Sequence, residues 1–512
     1  MYPKYLQHGL ASLPDDLLLE IFAWSETHPL LLRAVSRRFY QLVAQSPSLW
    51  AYYPVDISVK SDYPPVIPAS TTVTLSHCGT LPLHLHINDI GQGLISEETL
   101  ELLTAHAHRA HTLEYLFDLV WTHDLNFHVA HGSVAGKGER AGKRVRLEFP
   151  RMKRLRLVAD TQARRRRRRL MNGEWDDSDA DTDMRFTQHW YAPVLEDLIV
   201  SGSFLPHHIP GSALTRCTLH FATSHVAVDV TRLSAFLASS NCNASLHELK
   251  LVFGYSLKMF FYRSQDPNTD ADADADADTQ TPLVPVELSA LTTFTLSLRT
   301  YRFENEECLD PFYDFLSTLH TPNLSTLDLE LDIEDVDRTP FRMQSILSFL
   351  HKNVNIEHLS LSLGRTSDGS FDLRTAILYP LHRLKHLTVE AQCMPVVFCD
   401  VIPVQIPPEL ETLVLRRCFG LEEDSIKQLA MVVCRARMKG LGGDGGEREE
   451  AGEGDGEDER IDDGEKYKMG VPFTIIFEGC PHLDRRTVET KCLYEGIKGV
   501  WRDTVPDLNN GD

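Results

Sequence analysis

The side chains best suited to metal binding or nucleophilic chemistry are a histidine group and ten cysteines scattered along a chain of 512 residues. His84 and His86 would share one face of a strand, and His108 and His111 could share a helix face, with His106 close by. No HExxH motif accompanies them, and nothing in the sequence brings up a third ligand. The cysteines form no CxxC pair and no ligand-like spacing, so neither a zinc site nor a disulfide framework is indicated. No GxSxG, GxGxxG or GxxxxGK[ST] motif occurs, and no cysteine sits in a recognisable protease context. The expectation is a chain with no catalytic, metal or cofactor site, which works by binding. An enzyme with a site too dispersed to see in one sequence is the least favoured alternative.

Charge narrows the class of partner. The net charge is −22, but Glu174–Asp183 contributes −6, Asp270–Asp278 contributes −5 and residues 440–466 contribute −9. The acidity therefore sits in low-complexity tracts, read as disordered inserts, and the remainder is close to balance. The acidic tracts lack the central glycine and terminal glutamate of a calcium loop. Arg164–Arg169 is an unbroken run of six arginines directly before an acidic cluster. It has the composition of a nuclear signal or a nucleic-acid contact, or of a loop whose two halves neutralise each other. The loop is the preferred reading. Nucleic-acid binding is not expected, because no aromatic-interleaved basic motif accompanies the run. No stretch is apolar enough to span a membrane and Met1–Ser12 lack a signal peptide's apolar core, so a soluble, intracellular protein of cytoplasm or nucleus is expected.

The elements that would do the binding begin at the N-terminus. Leu13-Pro14-Asp15-Asp16-Leu17-Leu18-Leu19-Glu20-Ile21-Phe22 reads as a helix start, with Pro14 at the first helical position and two acidic residues at the positive end of the dipole. Pro29 marks a break before a second helix, in which Leu31, Leu32, Val35, Phe39 and Leu42 share a face. Ser46-Pro47-Ser48-Leu49-Trp50 closes the segment. A helical hairpin capping a larger domain would show the same periodicity. The order Leu-Pro-acidic-acidic-Leu, Val-Ser-Arg-Arg-Phe, Ser-Pro-Ser-Leu-Trp is more specific, and it resembles the F-box. One departure is the bulky stretch Trp24 to His28 between the helices. The resemblance implies docking onto the Skp adaptor of a cullin ubiquitin ligase, with Leu13, Pro14, Leu17, Ile21, Leu32, Val35 and Trp50 forming the adaptor interface or the packing that shapes it.

Beyond residue 60 a short pattern, apolar-x-x-apolar-x-apolar, recurs. It stands at Met152–Leu157, Leu195–Val200, Leu246–Leu251, Leu291–Leu296, Leu324–Leu329, Ile356–Leu361, Leu384–Val389 and Leu410–Leu415, and more weakly at Leu214–Leu219. The last six strong copies begin 45, 33, 32, 28 and 26 residues apart. Alternation over the short run predicts a strand, and helical patterns fill several gaps. Strand-helix units of this kind bury their apolar faces only by stacking on their neighbours. The pattern resembles an irregular leucine-rich repeat. Cys418 follows Leu413 and Leu415 at the place where the family pattern puts Asn or Cys, and Cys78 stands likewise after Val73 and Leu75 and Cys480 after Ile475 and Phe477, so the three read as buried structural thiols following strands. A conventional α/β domain with leucine-rich strands would also alternate, but would usually carry a glycine-rich phosphate loop.

The expected fold class is α/β: a short all-helical F-box followed by an irregular leucine-rich-repeat solenoid, or horseshoe. Its parts are an F-box-like domain at 10–55, a linker with the first irregular repeats at 56–150, and a solenoid at 151–439 with inserts at 161–188 and 264–283. An acidic glycine-rich loop at 440–468 and a terminal repeat at 469–512 complete it. The expected function is substrate recognition in a Skp–cullin–F-box ligase, with Skp adaptor, cullin and an unknown target protein as partners. The alternative is a non-catalytic leucine-rich scaffold outside ubiquitination. Target contacts are assigned to the x positions of the strands: Glu248, Lys250, Asp328, Glu330, His358, Lys385, His386, Arg416 and Arg417.

Overall fold

The computed structural model describes residues 12–52, 55–58, 69–89, 97–118, 147–160, 190–202, 214–221, 225–262, 283–300, 310–333, 343–364, 371–372, 381–391, 396–397, 407–421, 473–494 and 498–502, with scattered positions at 424–429 and apart from isolated positions within these ranges. Arg164–Arg169, Glu174–Asp183, Asp270–Asp278 and the acidic tract at 440–466 lie outside the described residues.

Four short helices open the chain: α1 (Asp15–Trp24), α2 (Pro29–Val35), α3 (Arg37–Ala44) and α4 (Pro47–Tyr52). Pro14 is the cap of α1 rather than its first residue, and Asp15 and Asp16 occupy the first turn, where the helix dipole favours them. The second helix expected from the sequence is two helices. Ser36 is extended, at φ −158° and ψ 163°, so α2 ends there. Its hydroxyl accepts a hydrogen bond from the Phe39 amide at 3.2 Å and caps α3. The five apolar residues read as one face are consequently divided: Leu32 and Phe39 are buried, Leu42 is half-buried, and Leu31 and Val35 are exposed.

The chain as a whole forms two compact units, one of residues 1–254 and 262–290, the other of residues 255–261 and 291–512. The first contains, after the four helices, the strands β1 (Val55–Ser58), β2 (Leu83–Asp89), β3 (Ala110–Asp118), β4 (Arg154–Asp160), β5 (Asp197–Ser201), β6 (Arg216–Phe221) and most of β7 (Glu248–Ser256). These are parallel, and their order in the sheet is their order in the chain. Helices α5 (Ala69–His77), α6 (Glu97–His106) and α7 (Val230–Ala238) lie in the connections. The second unit holds β8 (Thr293–Thr300), β9 (Thr326–Ile333), β10 (His358–Leu363), β11 (His386–Ala391), β12 (Thr412–Arg416), β13 (Thr474–Glu478) and β14 (Lys498–Arg502), again parallel and in chain order. Its helices include α8 (Asp310–Thr318), α9 (Met343–Lys352) and α10 (Arg485–Tyr494). A helical N-terminal region followed by extensive parallel sheet is thus the architecture. No helix among the described residues is long and apolar enough to cross a membrane.

The recurring motif sets the register. Its first apolar residue is held by a turn, as in Met152 N–H to Phe149 O, Leu195 to Ala192, Leu324 to Thr321 and Leu384 to Leu381. The next two amides then both donate to the carbonyl of the equivalent residue one copy earlier. Glu196 and Asp197 donate to Lys153, Thr215 and Arg216 to Glu196, and His247 and Glu248 to Thr215. In the second unit Ser325 and Thr326 donate to Thr292, Glu357 and His358 to Ser325, and Lys385 and His386 to Glu357. Each copy therefore begins its strand at the same level, and the three apolar positions of every copy stack in buried rows such as Leu327, Leu359, Leu387 and Leu413.

Two local readings are corrected. Val73 and Leu75 belong to helix α5, not to a strand: the buried positions Thr71, Thr74, Leu75 and Cys78 recur at helical spacing, two of them being threonines that apolar pattern does not count. His108 and His111 do not share a helix face: His108 lies in a short 3-10 turn, Ala107–Arg109, and His111 in β3. Cys418 and Cys480 follow β12 and β13, and both are buried.

Candidate functional site

Helix α1 carries two apolar stripes. Leu18 and Phe22, four residues apart, point inward and are buried, Phe22 meeting Phe39 edge-on at 4.7 Å between ring centres. Leu17, Ile21 and Trp24 fall on a second stripe about a third of a turn round the helix and are 44%, 37% and 80% exposed. The same division runs through the next helices: Leu32, Phe39 and Val43 are buried, whereas Leu31, Val35 and Tyr40 are 64%, 66% and 48% exposed. Six large apolar or aromatic side chains on one short helical segment are far more than scattered surface apolarity requires.

The inner side of the segment is firmly tied. Trp50 is fully buried, donates its indole N–H to the Val43 carbonyl at 2.7 Å, and stacks on His77 of α5 at 4.5 Å. The Arg33 guanidinium lies 4.3 Å from the centre of the Tyr40 ring and 5.6 Å from that of Trp50, a cation–π arrangement. Arg38 pairs with Asp15 and donates to the Leu13 carbonyl at 2.6 Å, binding the start of α1 to α3. Burial lowers the pKa of His28, whose Nδ1 accepts from the Leu30 amide at 3.2 Å and caps α2.

Of the residues assigned to the adaptor interface, Pro14, Leu17, Ile21 and Val35 stand exposed and Leu13 half-buried. Leu32 and Trp50 are buried, so their place is in the packing that shapes the face, not on it. Trp24, Leu31 and Tyr40 were not assigned to that interface from the sequence. The helical spacing from Leu17 through Ile21 to Trp24, and from Leu31 to Val35, was the available signal.

Residues 10–53 match the model of the F-box-like family. The segment is an F-box-like domain. Among curated proteins, none matches the chain.

The second candidate surface is the sheet face opposite the buried leucines. In the second unit its outermost row runs through Thr293, Thr326, His358, His386 and Thr412 in register. His358 and His386 stack at 4.6 Å, and burial, followed by the charge of His386, holds the His358 imidazole below its ordinary pKa. Several of the nine target-contact candidates are engaged with neighbours. Glu330 accepts from Ser297 and Arg299, both at 2.7 Å, and Lys385 meets Glu357 at 2.9 Å. Arg416 donates to Glu478 at 3.0 Å, and Arg417, held at φ 48°, lies 3.4 Å from Glu390. Glu248 and Lys250 are exposed on β7, and Asp328 is half-buried on β9.

The first unit holds a group that sequence reading passed over. Arg154, Asp197 and Arg216 face one another on β4, β5 and β6, and in the next row Arg156 meets Glu114 at 3.0 Å. All three of the first group occupy the third position of the recurring motif, so aligning the copies by that position would have found them. Near them, burial first and the charges of His111 and Arg154 second lower the pKa of His84, whose ring bonds to Thr112 at 2.7 Å. Among the described residues, no group of three or more His, Cys, Asp or Glu is arranged to hold a metal ion.

Proposed function

We propose that this protein is the substrate-recognition subunit of a Skp–cullin–F-box ubiquitin ligase. The observation that carries the reading is the exposed apolar stripe of Leu17, Ile21, Trp24, Leu31 and Val35 on a segment that matches the F-box-like family. A face of this kind gains stability by burial against a partner, and for an F-box that partner is a Skp-type adaptor. The strand-by-strand repeat, with buried leucine rows and bonded strand starts, supports reading the parallel sheet as an irregular leucine-rich-repeat solenoid. Its other face would hold the target protein. In this reading the chain catalyses nothing itself. It raises the effective concentration of a bound target near the ligase.

The test is capture of adaptor and cullin by the full chain and by the double variant Ile21→Asp/Val35→Asp. Both positions are exposed, so the fold should tolerate the charges. The expected result is capture of both proteins by the natural chain and of neither by the variant. Equal capture of adaptor by the two chains would remove the docking face from the account. Adaptor without cullin would favour a scaffold outside ubiquitin transfer.

A further inference from the structure

We propose that Arg154 and Arg216, set on either side of Asp197, form a site that reads an oxyanion on an extended acidic peptide. The site deepens the ligase reading above by naming the chemistry its target-holding face would recognise.

The geometry begins with register. Arg154 pairs with Asp197 across β4 and β5, and Asp197 with Arg216 across β5 and β6. The two arginines therefore flank one carboxylate, about 10 Å apart at the backbone by the usual strand spacing. The Asp197 side chain is only 10% exposed, while those of Arg154 and Arg216 are 53% and 50% exposed. Arg154 donates through Nε at 2.8 Å and Arg216 through Nη2 at 3.0 Å, both to the same oxygen, Oδ2.

Two positive charges thus share one negative charge, and the group keeps an excess of +1 facing solvent. Each guanidinium has five N–H donors and spends one on Asp197. Neither makes another hydrogen bond among the described residues. The remaining donors form two forks of the shape that accepts a carboxylate or a phosphate ester in bidentate fashion. Beside them the next row supplies half-buried Ile199 and Thr218, against which a peptide backbone could lie. Glu248 extends the charged row beyond Arg216 as an exposed competing carboxylate, and no ion pair joins it to Arg216 among the described residues. Asp197 acts as a built-in stand-in for the ligand: it holds the two side chains in place and keeps them from closing on weaker anions.

The experiment uses the full chain and three fluorescein-labelled octapeptides in which alanine alternates with glutamate, with phosphoserine or with serine. Binding is followed by fluorescence anisotropy. The glutamate or phosphoserine peptide should bind and the serine peptide should not, and the stronger of the first two identifies carboxylate or phosphate as the natural anion. Arg154→Gln and Arg216→Gln should each weaken binding about tenfold, the scale of a lost charge-assisted pair. Asp197→Asn should strengthen it several-fold, because it releases both guanidinium charges while keeping the side chain's shape. A merely structural triad would not show that gain. Arg164–Arg169 is present in every variant, so differences between variants isolate the pair. Equal binding of all three peptides, binding by none, or an Asp197→Asn chain that binds no better would overturn the proposal. Adaptor capture is measured on the same variants. If the natural chain captures adaptor but binds no peptide, only this inference is defeated; if it binds peptide but captures no adaptor, only the ligase reading is.

Discussion

Leu17 and Trp50 are large apolar residues of the same four-helix segment, and burial assigns them opposite roles. Trp50 is fully buried, with its N–H bonded to Val43 and its ring stacked on His77. Trp50→Ala should cost about 3–5 kcal/mol, the range for deleting a buried aromatic. Leu17→Ala should change stability by no more than about 0.5 kcal/mol, as for an ordinary surface position. Urea unfolding of the two variants checks this, and similar losses for both would mean that Leu17 is packed. His358 makes a different residue-scale prediction. Burial and the stacked His386 lower its pKa in the folded chain, so the unfolded chain takes up the proton first as pH falls. Its contribution is full above the ordinary histidine pKa of about 6.5 and is lost as pH drops through the lowered folded value. The urea midpoint should therefore fall between pH 7 and pH 5, and His358→Gln should make that fall shallower. An unchanged pH slope in the variant would show that the stack carries no linkage.

At the level of elements, close approach matters more than pattern. A Cβ added at Gly499 in β14 would lie 2.7 Å from Cys492 Cβ, 2.9 Å from its Sγ and 3.1 Å from the Val488 carbonyl oxygen of α10. Cys492 and Val488 are both buried, so neither has room to retreat. Gly499→Ala should thus cost about 1–3 kcal/mol, the range for overpacking, read as a lower urea midpoint. A midpoint within error of the natural chain would show that α10 can slide on the sheet. The strands that carry the recurring motif were legible because alternation over six residues is a local signal; even the weak copy at Leu214–Leu219 overlaps β6. The break between α2 and α3 was not, since it depends on the extended backbone and cap of one serine, which leaves the apolar spacing unchanged. Val73 and Leu75 were misread for the related reason that two apolar residues cannot distinguish a strand from a helix. Which of Leu17 and Leu18 faces inward is decided by what packs on α1, and no single helix states that. The charged row Arg154, Asp197, Arg216 was written in the motif but becomes a cluster only when three strands lie in register.

Across the whole molecule the two candidate surfaces should answer differently to salt. The proposed docking face of the N-terminal helices is apolar, with Leu17, Ile21, Trp24, Leu31 and Val35 exposed, and burying it depends little on ionic strength. The arginine pair is half-exposed and works through charge. The Debye length shrinks from about 10 Å at 0.1 M to about 3 Å at 1 M, so added salt screens its pull on an approaching anion. The net charge of −22 adds a second effect, because the acidic tracts repel an acidic peptide at long range. Salt relieves that repulsion while weakening the local contact. Local attraction dominates if the peptide seats within hydrogen-bond distance of the two guanidinium groups. Raising NaCl from roughly 0.1 to 0.5 M should therefore leave adaptor capture intact while peptide binding falls severalfold. Measuring both on one preparation separates the surfaces without any substitution. Peptide binding that rises with salt would show that the acidic tracts, not the arginine pair, govern the encounter. Adaptor capture that collapses with salt would show that charged residues around the helices, such as Arg33 and Arg38, carry the docking instead of the apolar stripe.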